Sequence, residues 1–212
     1  MSEIRLKSTG TIKLFENDNT SNVTIASPAS LGADRTITLP DGDVTLVAGT
    51  MSTSGGITAA SQWRVTTNFV GSTGGHQDVT SNWEVVDTDG YGGIGSAMTE
   101  SSGIFTFPST GIWYMRYQFT AFTDSQGASN YTGTIIRTTT NDSSYDLASA
   151  TWQSIPATNE SYCMCATDFM FDVTSTSTHK CKFSYETQTA QTFECATDGS
   201  RFGVTFIRLG DT

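Results

Sequence analysis

Residues Gly103–Phe119 read GIFTFPSTGIWYMRYQF, and the second half of that run decides the fold. Trp113, Met115, Tyr117 and Phe119 fall on one face of an extended chain, with Ile112, Tyr114, Arg116 and Gln118 on the other. Successive side chains of a strand point to opposite sides, so this period of two predicts a β-strand packed on one face, its other face turned to water or a neighbour. Turn residues bracket it at Gly111 and at Asp124–Gly127. The whole chain shares that character: 37 Thr and 25 Ser stand against 7 Leu in 212 residues. β-Branched and aromatic side chains suit a pleated surface, whereas a helical protein would be richer in leucine.

Working outward, further strands are expected where Trp63, Val65, Thr67 and Phe69 alternate, at Trp83 and Val85, and from Ile104 to Phe107. On the C-terminal side they are expected at Gly133–Thr138, Tyr145–Gln153, Tyr162–Val173, Lys180–Glu186 and Arg201–Leu209. Eight or so strands without helical periodicity make an all-β fold, an antiparallel sandwich or jelly roll, over residues 62–212.

Residues 1–48 differ. Short apolar pairs, Ile12 and Leu14, Val23 and Ile25, Ile37 and Leu39, Val44 and Leu46, alternate with breakers such as Asn17-Asp18-Asn19 and Pro40-Asp41-Gly42-Asp43. This meander of brief strands holds too little large apolar surface to offset its ordering entropy alone. It is therefore expected to be a β assembly and attachment segment that folds against copies of itself or another protein. Residues 49–61, GTMSTSGGITAAS, form a Gly/Ser/Thr-rich linker.

Charge narrows the function. The net charge of −10 would repel a phosphate backbone and an anionic lipid surface, so neither nucleic-acid binding nor membrane docking is expected. No run approaches the ~20 apolar residues of a spanning helix, which excludes membrane insertion by that route. MSEIRLKSTGTIKLFENDN carries charges throughout and has no apolar secretory segment, so assembly in a cytoplasm is expected.

Chemistry-bearing residues are sparse. Cys163, Cys165, Cys181 and Cys195 share parity with core residues of their strands, which suits free buried thiols; two disulfides or a metal site stay open, although the spacing matches no common zinc pattern. Asp87-Thr88-Asp89-Gly90 is a fragment of a calcium loop without its remaining ligands. Asp142, Asp146 and Asp198 would join it only if the fold gathers them. His76 and His179 sit in polar stretches and are expected on surface loops. With no G-x-S-x-G elbow and no phosphate-cradling glycine loop, no enzyme and no cofactor are expected. Five aromatic residues in or beside expected loops, Tyr91, Phe122, Tyr131, Tyr145 and Trp152, are candidates for facing a ligand.

The run Gly103–Phe119 resembles the signature of C1q-like heads of the C1q and tumour-necrosis-factor jelly-roll superfamily, with Phe105, Gly111 and Tyr117 at matching positions and Trp113 and Met115 replacing the usual Tyr and Phe. RFGVTFIRLG (Arg201–Gly210) is similar to that family's last strand. The resemblance implies a homotrimer in which Phe105, Trp113, Tyr117, Phe202, Val204 and Phe206 serve core or trimer packing, the last strand placing a Phe-rich edge at the threefold axis. Some relatives bind calcium at their heads. IKLFENDNTSNVTIASPASLGADRTITLPDGDVTLVAG looks like a segment found near the start of fibre and appendage proteins of marine bacteriophages. Together these imply a virion structural protein: a trimeric fibre or spike held to other virion proteins by residues 1–48, its head displaying a site for a host-surface glycan or protein. A trimeric capsid decoration protein and a polysaccharide-degrading fibre enzyme are the rival expectations.

Overall fold

The computed structural model describes residues 11–15, 17–18, 20–26, 56–123, 127–156 and 161–212. They fall into two units, one within Met1–Met51 and one within Ser52–Thr212. In the first, β1 (Thr11–Phe15) and β2 (Asn22–Ala26) form an antiparallel hairpin with Ile12 opposite Ile25. The strands expected at Ile37 and Leu39 and at Val44 and Leu46 lie outside the described residues.

The second unit is a two-sheet sandwich. Its strands are β3 (Ala60–Val65), β4 (Phe69–Val70), β5 (Gln77–Asp78), β6 (Trp83–Val85), β7 (Thr99–Ser101), β8 (Ile104–Thr106), β9 (Gly111–Phe122), β10 (Ser129–Thr139), β11 (Asp146–Ile155), β12 (Tyr162–Val173), β13 (Lys180–Thr187), β14 (Thr192–Glu194) and β15 (Phe202–Gly210). One sheet runs β11-β10-β13-β8-β7, with β5 also on β13; the other runs β4-β14-β9-β15-β3-β6, with β12 along the free edge of β9. All pairings are antiparallel among the described residues. No helix is long and apolar enough to cross a membrane among the described residues.

The alternation predicted for β9 is observed: Trp113, Met115, Tyr117 and Phe119 are all buried, and Arg116 is exposed. Gly111 opens the strand at φ +135°, where a Cβ would come within 2.4 Å of the Gly210 carbonyl oxygen, so both its conformation and its space require glycine. Between the sheets the rings interlock edge to face. Phe105 meets Trp63 at 5.3 Å, Trp83 at 5.1 Å and Phe183 at 5.2 Å, all at steep interplanar angles. The Trp83 and Trp113 indoles donate to the Val79 and Ser109 carbonyls, which lets these large rings enter the core without stranding an N–H.

Two expectations are corrected. Ala59 is buried and β3 begins at Ala60, opposite Ile207, so residues 59–61 belong to the sandwich rather than to the linker. Of the core or trimer packing expected for Phe202, Val204 and Phe206, the core alternative holds and the edge at the axis does not: β15 lies between β9 and β3, and all three side chains are buried within one chain. Flanked on both sides, the last strand turns its rings into the protomer's own core.

Candidate functional site

Strand alternation on the sheet β3-β15-β9-β12 leaves an outward face whose rows follow the pairing. Met170 stands opposite Tyr114, which stands opposite Ile207; Asp168 stands opposite Arg116, which stands opposite Thr205; Tyr162 stands opposite Phe122. Apolar rows thus bracket a polar belt. Met170 is 64% exposed, Tyr162 58%, Met164 57% and Leu209 50%, although each would bury surface gladly. The belt is internally ordered: the Tyr114 hydroxyl donates to Asp168 Oδ2 at 3.2 Å, and burial together with that carboxylate raises the Tyr114 pKa. Beside it a shallow depression of about 350 Å³ is lined by Arg116, Thr151, Ala166, Thr167 and Asp168.

At the β3 end of the same face lies a residue that sequence reasoning missed. Arg64 alternates outward between Trp63 and Val65, yet it is 1% exposed. Its Nε donates to Glu84 Oε1 at 2.7 Å, Nη1 to Thr88 Oγ1 at 2.9 Å and Nη2 to Asp87 Oδ1 at 2.8 Å. The guanidinium fork is matched by partners on β6 and the turn that follows, which balances its desolvation. Asp87 is consequently an ion-pair partner of Arg64 through Oδ1, and Asp89 accepts from Thr88 Oγ1 in a left-handed turn conformation. Asp142 pairs with Lys180, while Asp146 and Asp198 are exposed. Among the described residues no three His, Cys, Asp or Glu side chains converge to hold a metal ion.

The cysteines are free, and they are buried as their parity predicts. Burial pushes the Cys181 thiol up, and burial with the neighbouring Glu194 charge pushes Cys195 up to about 12. A hydrogen bond between Cys163 and Cys165 holds Cys163 below the ordinary thiol value and raises Cys165, whose Sγ also donates to the Thr132 carbonyl at 3.0 Å. His76 is exposed as expected. His179 is not: it is buried with its ring stacked on Phe171 at 5.6 Å, and both ring nitrogens meet threonine hydroxyls.

The five candidate ligand-facing aromatics are scattered. Tyr91 accepts from the Gln62 backbone N–H through its hydroxyl, covering Arg64's end of the sheet, and Phe122 stacks on Tyr162 within the apolar face. Tyr145 lies under the Lys182 ammonium, 4.3 Å from the ring centroid, and its hydroxyl is buried without a partner. Tyr131 and Trp152 are exposed on the opposite sheet, where the Trp152 indole donates to Glu186 at 3.1 Å.

No family model matches the chain, and no curated protein matches it. Solved structures do. "Crystal structure of murine APRIL at pH 5.0" superposes with a TM-score of 0.51 at 12% identity, covering 71% of this chain and 98% of that one. "Structure of Eiger TNF from S. frugiperda" gives 0.52 at 13% identity, covering 72% and 93%. "PRD1 vertex protein P5" gives 0.40 at 13% identity, covering 74% and 100%, a likeness too slight to argue from. The fold is that of the tumour-necrosis-factor-like jelly roll: all-β, antiparallel, two sheets deep.

Proposed function

We propose that this chain is a virion structural protein of a bacteriophage, a homotrimeric fibre or spike whose residues 1–48 fix it to the particle and whose sandwich displays a host-recognition surface. The observation that carries the reading is the outward face of β3-β15-β9-β12, where Met170, Tyr162, Met164 and Leu209 are bare. A monomer rarely leaves several large apolar side chains wet on one sheet face, and like subunits closing around a threefold would cover them on every copy at once. The β1–β2 hairpin supports the attachment role. Ile12, Leu14, Phe15 and Ile25 are all exposed on a sheet that is two-stranded among the described residues, and a two-stranded hairpin by itself has marginal stability in water. The likeness of these leading residues to phage appendage segments supplies the setting. Threefold copies of a weak site on the head would multiply its avidity, which suits adhesion better than turnover.

Labelling intact particles with an antibody to this chain tests the reading. Label at a fibre or appendage, with adsorption blocked by the added protein, is expected. Label over the capsid lattice, with normal adsorption after the protein is removed, would establish a decoration protein instead. Hydrolysis of host polysaccharide by the purified protein would refute the non-enzymatic reading.

A further inference from the structure

Trp152 is the one tryptophan of the four not buried in the core, and its placement is specific. It springs from β11 opposite Gly133 of β10, which in turn lies opposite Glu186 of β13. The indole crosses the sheet over Gly133: a Cβ there would come within 2.3 Å of Cδ1 and 2.7 Å of Cγ of Trp152. Its Nε1 reaches Glu186 Oε2 on the far strand at 3.1 Å. The ring is therefore laid down on a glycine, pinned by a charge-assisted hydrogen bond, and still 44% exposed. An aromatic plane fixed by its underside and edge offers its other side as a rigid platform.

The rim is polar. Glu186 spends one lone pair on the indole and keeps others free to accept. His76 stands 3.9 Å from the same carboxylate oxygen. We propose that the Trp152–Glu186 platform is a binding subsite for a neutral sugar ring: the apolar face of a pyranose lies on the indole, while its hydroxyls donate to Glu186 and exchange hydrogen bonds with His76. An acidic ligand is disfavoured by Glu186 and by the net charge of −10. A protein anchor is disfavoured by shape, because such hot spots sit in enclosed, desolvated pockets, whereas this ring lies open on a sheet. The inference deepens the adhesin reading and takes its biological setting from it.

Affinity electrophoresis of the full chain through native gels containing mannan, dextran, arabinogalactan or anionic alginate tests the site. Retardation is expected in at least one neutral polysaccharide. It should fall at least tenfold in Trp152→Ala and several-fold in Glu186→Gln, and persist in Leu147→Ala, an exposed apolar change on the same strand. Near-UV circular dichroism of Glu186→Gln, which keeps every ring, confirms that the loss is not unfolding. No retardation in any neutral gel, retardation by alginate alone, or equal retardation of Trp152→Ala would overturn the proposal. Its failure separates from that of the adhesin reading: the platform falls if the wild-type protein blocks phage adsorption but binds no sugar, and the adhesin reading falls if Trp152→Ala loses sugar binding while its particles adsorb normally.

Discussion

Arg64 Nη2 and Asp87 Oδ1 meet at 2.8 Å, the guanidinium closed off from solvent and the carboxylate largely in it. One buried cation thereby ties the turn after β6 to the C-terminal end of β3. Replacing it with methionine keeps much of the bulk but frees Glu84 and Asp87, both able to rehydrate. Arg64→Met should cost about 1–3 kcal/mol, and Asp87→Asn less. Because Asp87 is engaged, adding millimolar calcium or EDTA should leave the melting temperature in place; a rise with calcium would show that the turn binds the ion after all.

Phe206 and Met170 separate core from interface. Phe206 is fully buried among Phe105, Phe107 and Phe183, so Phe206→Ala should cost about 3–5 kcal/mol and lower the melting temperature of the sandwich itself. Met170→Asp should instead leave the near-UV spectrum intact and reduce the sedimentation coefficient. Unfolding by Met170→Asp, or dissociation without unfolding by Phe206→Ala, would reverse the assignment.

Asp78 gives the acid limb a sign. Burial acts to raise its pKa, but Ser184 Oγ at 2.6 Å, Lys182 and Arg137 outweigh that and hold it below the usual carboxylate value. A depressed native pKa stabilises above the unfolded value, near ~3.9, and that stability is lost as pH falls through the native one. Asp78→Asn should therefore be about 1 kcal/mol less stable at neutral pH, with the gap closing below about pH 4. A gap that persists unchanged at pH 2.5 would contradict the assignment.

Thiol reactivity should be ordered. In native protein a disulfide-exchange reagent should modify Cys163 first, its thiol lowered by Cys165, with Cys181 and Cys195 silent until denaturant exposes them. Four thiols per chain after unfolding are expected; fewer would reveal a disulfide.

What was legible in the residues is what alternation alone controls. Tyr162–Val173 was read to the residue because apolar parity runs unbroken along it, and β9 stood out for the same reason. The short strands β5, β7 and β14 went unread, since two or three residues carry no period and pair only because β13, β8 and β9 offer an edge. Parity alone puts Arg64 on the outward side of its strand; the turn that covers it comes from Asp87–Tyr91, and only tertiary contact reveals the cover. His179 was misplaced likewise, its polar neighbours hiding the stacking partner on β12. Trp152 and Glu186 are 34 residues apart, so their hydrogen bond had no local signature.

Self-association is the claim on which the functional account rests, and the molar mass of the full chain at micromolar concentration, measured by light scattering behind size exclusion, tests it most directly. The account predicts three times the mass of one chain, falling toward one in Met170→Asp. A folded wild-type monomer across that range would contradict it.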